Sequence, residues 1–237
     1  MHIAYKTDVG RQREINEDSI LVDQGKGIFL LADGLGGHQA GEVASALCVN
    51  EIHRYLREKI DRITLKEVPN LLIEAVVHAH KTIKVKSMSD PKLLGMGTTI
   101  VALLIKDHDA YICHAGDSRA YIIRDGIKQI TKDHTYTGHL ENDIMLKELY
   151  SRTRSPILSQ AVGTVMKIEP EINHIGLKAG DIILICSDGL TDMLSDEEIS
   201  EITLRHENKI NEAADMLVNE ANNRGGRDNI SVILIKA

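Results

Sequence analysis

The sequence predicts an α+β fold with antiparallel sheets, and three observations predict it. Strand-length runs rich in Ile and Val recur along the chain, with turn residues bounding most of them. These runs follow one another as hairpins do. Helical periodicity comes in two pairs of segments and is not interleaved strand by strand. Alternating βα units would place a helix after each strand, so that pattern argues against a doubly wound parallel sheet.

In chain order, the strand runs cover 19–23, 28–32, 98–105, 110–114, 120–124, 181–186 and 230–235. Asp125-Gly126 between Ile123 and Ile127 is a hairpin turn signal. A helix is predicted over 41–59, where Val43, Leu47, Ile52 and Leu56 share helical spacing, and another over 68–84, with Leu72, Ala75, Val76 and Ala79. Two more fall at 196–205 and 211–222, the first opened by a capping box of Ser195 with Glu198. The segment 135–164 has weak periodicity, with Arg152 and Arg154 among Ser, Thr and Pro, and reads as the mobile loop region. No repeat or linker breaks the chain, so residues 1–237 are expected to form one domain.

Composition narrows the function. Of 237 residues, 43% are apolar, which excludes a disordered tail protein. No apolar run approaches the roughly 18–20 residues of a membrane span, and residues 1–13 lack the apolar stretch of a secretory signal. The net charge of −7 and the scarcity of aromatics, with no Trp and one Phe, argue against nucleic-acid binding. Cys48, Cys113 and Cys186 lie far apart among apolar neighbours and read as structural thiols of a reducing compartment. The expectation is a cytoplasmic protein with no membrane and no nucleic-acid partner.

The carboxylates carry the chemistry. Asp33 and Asp188 close apolar runs, Asp117 lies between two strands, and Glu17, Asp18 and Asp228 precede others. An acid at a strand end often only makes a turn. Six such ends are harder to explain that way, because antiparallel strand ends meet at one rim. Two carboxylates ~5 Å apart repel by roughly 3 kcal/mol at an effective dielectric of ~20, so a cluster must protonate or bind cations. All-oxygen donors favour Mg²⁺ or Mn²⁺ over Zn²⁺. His78 and His80, two apart on a helix, face different directions and are expected to be solvated or half-buried. The glycines of 34–41 fit neither a dinucleotide loop, since Gln39 stands at the third glycine, nor a P-loop, since Glu42 and Val43 replace Lys and Ser/Thr. They fit a backbone bent close to a metal, with the Gly34 carbonyl as a ligand.

These pieces occur in a telling order: TDVGRQREINEDS (7–19), DGLGGHQAG (33–41), GMGTT (95–99), AGDSR (115–119), TKDHT (131–135), LSQAVG (158–163), SDGLTD (187–192) and GGRDN (225–229). The series resembles the metal-dependent protein phosphatases of type 2C in their compact bacterial form. That resemblance implies two central antiparallel sheets sandwiched between pairs of helices (αββα), with a metal centre at one rim. It implies that Asp33 bridges two metals, Asp188 and Asp228 hold the first, Glu17 and the Gly34 carbonyl the second, and Asp18 acts through bound water. A third metal would use Asp117 and Asp188, and Arg13 would bind the phosphate. The implied activity is hydrolysis of phosphoserine or phosphothreonine in proteins by a metal-bridging hydroxide, without a phosphoenzyme. Phosphorylated proteins, among them a Ser/Thr kinase and its targets, would be the partners, and a monomer the default state.

The sequence also departs from the family. Leu35 stands where many animal members carry a His, leaving His38 as the candidate leaving-group acid, with a loop histidine of no catalytic role as the alternative. The flap-like segment at about 135–160 looks short. His134 is expected to be structural. A non-catalytic phosphatase-fold module that binds a phosphoprotein is the alternative reading, and a missing ligand would favour it. A two-metal nuclease would need the basic groove that the charge argues against.

Overall fold

The structure is a computed structural model, and it describes residues 1–35, 40–136 and 157–237. Strands β1 (His2–Asp8), β2 (Asp18–Asp23) and β3 (Ile28–Asp33) lead into helices α1 (Gly41–Lys59) and α2 (Val68–Ser89). Strands β4 (Ile100–Lys106), β5 (Asp109–Ala115), β6 (Arg119–Ile123) and β7 (Ile127–Gln129) follow, then β8 (Glu171–Gly176) and β9 (Ile182–Cys186). A single helical turn α3 (Asp188–Thr191), helices α4 (Asp196–Arg205) and α5 (Ile210–Asn223), and strand β10 (Ile230–Lys236) complete the order.

Two five-stranded sheets form, β1-β10-β9-β6-β7 and β2-β3-β4-β5-β8, and every pairing is antiparallel. The strand period explains how they stack. In β3, Phe29 and Leu31 face the other sheet and pack with Ile183, Ile185 and Ile233, while Ile28, Leu30 and Ala32 face α1 and α2. On the far side, Leu184, Val232 and Leu234 pack against α4 and α5. The central strands are buried on both faces, which is why they read as unbroken apolar runs. Each buried Leu or Ile contributes roughly 1.5–3 kcal/mol. The predicted α+β architecture, with sheets between helix pairs, is the one observed.

Strands β1 and β8 had no apolar run to announce them. Of β1 only Ala4 is buried, and β8 buries none of its residues. Both are edge strands facing water, where polar side chains blunt further pairing. The N-terminal segment, polar by sequence, pairs with β10 from His2↔Lys236 to Asp8↔Ile230. The hairpin signal at Asp125-Gly126 holds: Ile123 pairs with Ile127 across a three-residue loop, with Gly126 at φ 145°. Asp107 and His108 both take positive φ in the two-residue β4–β5 turn.

His80 corrects the expectation of a solvated or half-buried ring. It is buried, and its Nδ1 accepts the Gly163 N–H at 3.0 Å. His78 stays partly exposed against Glu51. Most of the flap-like segment lies outside the described residues. Its described ends pair with each other, Thr135 bridging Leu158 and Tyr136 N–H donating to the Ile157 carbonyl at 2.9 Å. Among the described residues no helix is long and apolar enough to cross a membrane.

Candidate metal centre

Antiparallel order brings the acidic strand ends to one rim. The β2–β3 register sets Asp18 opposite Asp33. The β5–β6 turn carries Asp117, the residue pair after β9 is Ser187-Asp188, and Asp228 lies just before β10. Because β1 ends at Asp8 against Ile230, the 9–17 loop starts at this rim and brings Arg13 and Glu17 to it.

Neutral side chains fix the backbone beneath the acids. Thr99 Oγ1 accepts from Asp33 N–H at 3.0 Å, Thr99 N–H donates to the Asp33 carbonyl at 2.8 Å, and Thr98 Oγ1 donates to the same carbonyl at 2.8 Å. Thr99 Oγ1 also pairs with Ser118 Oγ at 2.8 Å, linking Asp33 to the Asp117 turn. Ser187 Oγ donates to Asp18 Oδ2 at 2.9 Å. Gly34 N–H donates to the Glu17 carbonyl at 3.1 Å. A Cβ on Gly34 would sit 2.4 Å from the Gly41 carbonyl, and one on Gly41 would sit 2.7 Å from Glu17 Oε1. The two glycines therefore let the start of α1 close on Glu17, whose carboxylate accepts the Gly41 N–H at the helix's positive end.

Asn229 is a second organiser. Its Oδ1 accepts from Glu17 N–H at 2.8 Å, and its Nδ2 donates to the Val9 and Ile15 carbonyls at 2.9 Å each. One buried amide thus holds the whole loop that bears Arg13. Asn229→Ala is expected to cost about 2 kcal/mol, since it removes three part-buried hydrogen bonds to the 9–17 loop, and to weaken Mn²⁺ binding. Thermal unfolding and a Mn²⁺ titration measure both.

The electrostatics leave the cluster two ways to stay buried, protonation or cations. Burial raises the carboxyl of Asp18 to about 7, and Asp228 adds to the effect. Asp33 is pushed well above the carboxylate range by burial and then by Asp18, Asp188, Asp117 and Asp228. Asp188 is raised likewise by burial, Asp117, Asp228 and Asp192. Burial brings Asp117 to about 6. Asp18 Oδ1 and Asp188 Oδ1 are buried with no hydrogen-bond partner among the described residues. Unpartnered oxygens on mutually repelling carboxylates fit hard divalent cations. Arg13 lies alongside, Nη2 donating to Asp228 Oδ2 at 2.6 Å and Nη1 3.9 Å from Glu17. Burial opposes its charge, and the carboxylates of Asp228, Glu17 and Asp33 outweigh that.

A pH dependence follows. A carboxyl whose folded pKa lies above its unfolded value destabilises the fold as pH rises from about 4 toward the folded value. Cations bind the ionised forms, so they relieve more as pH rises through the same window. Mn²⁺ is expected to raise Tm by roughly 5 °C more at about pH 7.5 than at about pH 5, relative to chelator. The buried His80 and His114, whose pKa values are lowered by burial, act equally with and without metal and cancel in the difference. Equal rises at both pH values would contradict the assignment.

Asp117, Asp188 and Asp228 meet Glu17, Asp18, Asp33 and Gly34 at this rim; His38 lies outside the described residues. Asp192, four residues after Asp188, is a further carboxylate here that the sequence reading did not single out. Elsewhere, His114, His134 and Glu171 approach one another. His134 Nδ1 accepts the Gly116 N–H at 3.3 Å, so its Nε2 carries the proton and faces Glu171 as a donor, at 3.3 Å. That tautomer suits a structural histidine and not a ligand.

The sequence profile of the protein phosphatase 2C family matches residues 9–230. The serine/threonine phosphatase stp of Listeria monocytogenes serotype 4b (strain F2365) is 35% identical over 242 residues, covering all of this chain and 96% of that protein. The crystal structure of the Mycobacterium tuberculosis serine/threonine phosphatase PstP/Ppp superposes with a TM-score of 0.82 at 36% identity, covering 98% of this chain and 97% of that one. The catalytic domain of PstP in complex with two manganese ions gives 0.82 at 34% identity, covering 98% and 96%. With the fold, the ordered motifs and the full-length similarity in agreement, the chain belongs to the protein phosphatase 2C family.

Proposed function

We propose that this protein is a metal-dependent serine/threonine phosphoprotein phosphatase whose single domain, residues 1–237, holds two Mn²⁺ or Mg²⁺ ions. The observation that carries this reading is the buried carboxylate cluster with unpartnered oxygens beside Arg13. Asp33 would be shared by both ions, with Asp188 and Asp228 on one and Glu17 and the Gly34 carbonyl on the other. Asp18 would act through bound water, and Asp117 with Asp188 would supply donors for a third ion. When bound, the ions supply a water nucleophile of lowered pKa and neutralise phosphoryl charge.

The chain's own residues do the rest. The Arg13 fork matches two phosphoryl oxygens and steadies them as charge moves to the leaving oxygen. Asn229, through the Val9 and Ile15 carbonyls, holds the loop that carries Arg13. His38 is the candidate proton donor to the leaving group. The buried cysteines are held protonated, Cys113 raised by burial to about 12, and are unsuited to nucleophilic attack. The substrates are phosphorylated proteins of the cytoplasm, a Ser/Thr kinase and its targets among them, met by a monomer. Acid quench during turnover of a ³²P-labelled phosphothreonine peptide tests the direct route. All label is expected in peptide or free phosphate, and label retained on the protein would overturn it.

A further inference from the structure

A cavity of about 450 Å³ opens from the metal centre, with Asp117, Asp188 and Asp192 on its lining and Lys132 on the same lining. The other polar side chains around it already have partners. Arg119 donates to both oxygens of Asp133 and to Tyr121 Oη, and Gln129 donates to Asp133 at 2.8 Å. Thr131 Oγ1 accepts from Ala120 N–H, and Thr191 Oγ1 donates to the Asp188 carbonyl. Lys132 is exposed and, among the described residues, has neither an ion pair nor a side-chain hydrogen bond.

Its backbone, by contrast, is anchored. The Lys132 carbonyl accepts from Nε2 of His114, a fully buried ring, at 2.9 Å. Two residues on, His134 N–H donates to the Gly116 carbonyl at 3.0 Å, so the lysine hangs from a segment clamped to the Asp117 turn. A flexible stem on a fixed base, with an unneutralised ammonium at the wall of a cavity that begins at the reacting centre, is suited to reading an anion at a set distance from it.

We propose that Lys132 is a specificity-determining residue that recognises an acidic side chain flanking the phosphorylated residue of the substrate. This rests on the phosphatase reading. Among the described residues Lys132 forms no hydrogen bond or ion pair with a candidate metal ligand or Arg13 through its side chain, so its charge discriminates among peptides without entering the chemistry. The contribution is that of a partly solvated ion pair, about fivefold in kcat/KM at low salt, and it is screened as salt rises.

The test uses phosphothreonine peptides identical except for one residue, Glu or Gln, placed in turn at each of the two positions before and after the phosphothreonine. The wild-type protein is expected to favour Glu over Gln about fivefold at one of these positions. The ratio falls to about one in Lys132→Ala, inverts in Lys132→Glu and survives in Lys132→Arg. Equal ratios in the wild type and Lys132→Ala would overturn the proposal while leaving the phosphatase reading intact. No turnover of any peptide by the wild-type protein would instead overturn the phosphatase reading.

Discussion

Asp188→Asn is expected to reduce Mn²⁺-supported hydrolysis of a phosphothreonine peptide by at least about 10³-fold while the protein stays folded. Asp188 opens α3, two residues after β9 ends at Cys186, and its Oδ1 has no hydrogen-bond partner among the described residues. Asparagine keeps the shape but removes the charge and turns donors toward any cation. Stability moves the other way. Burial, Asp117 and Asp228 all oppose ionisation of Asp188, so the metal-free variant is expected to be more stable than the metal-free wild type at neutral pH, by about 1 kcal/mol. Opposite signs for activity and stability separate loss of a ligand from simple unfolding. Wild-type turnover in this variant would refute the role.

Arg13→Ala is expected to lower kcat/KM by roughly 10²-fold, the scale of losing one preorganised donor to developing charge. The side chain is 40% exposed and rests on Asp228, so its removal empties no core. Thermal stability should change little. Inhibition by inorganic phosphate should weaken in parallel with kcat/KM, because the same fork serves substrate and product. Arg13→Lys should recover only part of the loss, since an ammonium offers no paired parallel donors. Unchanged phosphate inhibition in Arg13→Ala would move the phosphate site elsewhere.

Charge and apolar patterning carried most of what the sequence disclosed. Helix α1 begins and ends where its periodicity does, because a stripe from Ala44 to Leu56 packs on the sheet. The central strands were legible because both their faces are buried. Edge strands β1 and β8 were not, since a half-exposed strand with charged side chains resembles a loop in composition. At the site, Asp33 and Asp188 stood out as ionisable groups closing apolar runs. Thr99, Ser187 and Asn229 lay inside the quoted motifs, yet nothing in a neutral side chain announces which backbone atom it will hold. Only the register of β1 on β10 reveals that Asn229 reaches Val9 and Ile15. Asp192 closes the quoted motif SDGLTD, and its i, i+4 spacing from Asp188 is a signal that could have disclosed it.

The most direct test is phosphate release from a phosphothreonine peptide by the purified protein with Mn²⁺, then with excess chelator, then with Mn²⁺ restored. Turnover that appears with metal, vanishes with chelator and returns with metal is the predicted result. Absence of turnover while Mn²⁺ is bound in solution, or turnover indifferent to chelator, would contradict the account.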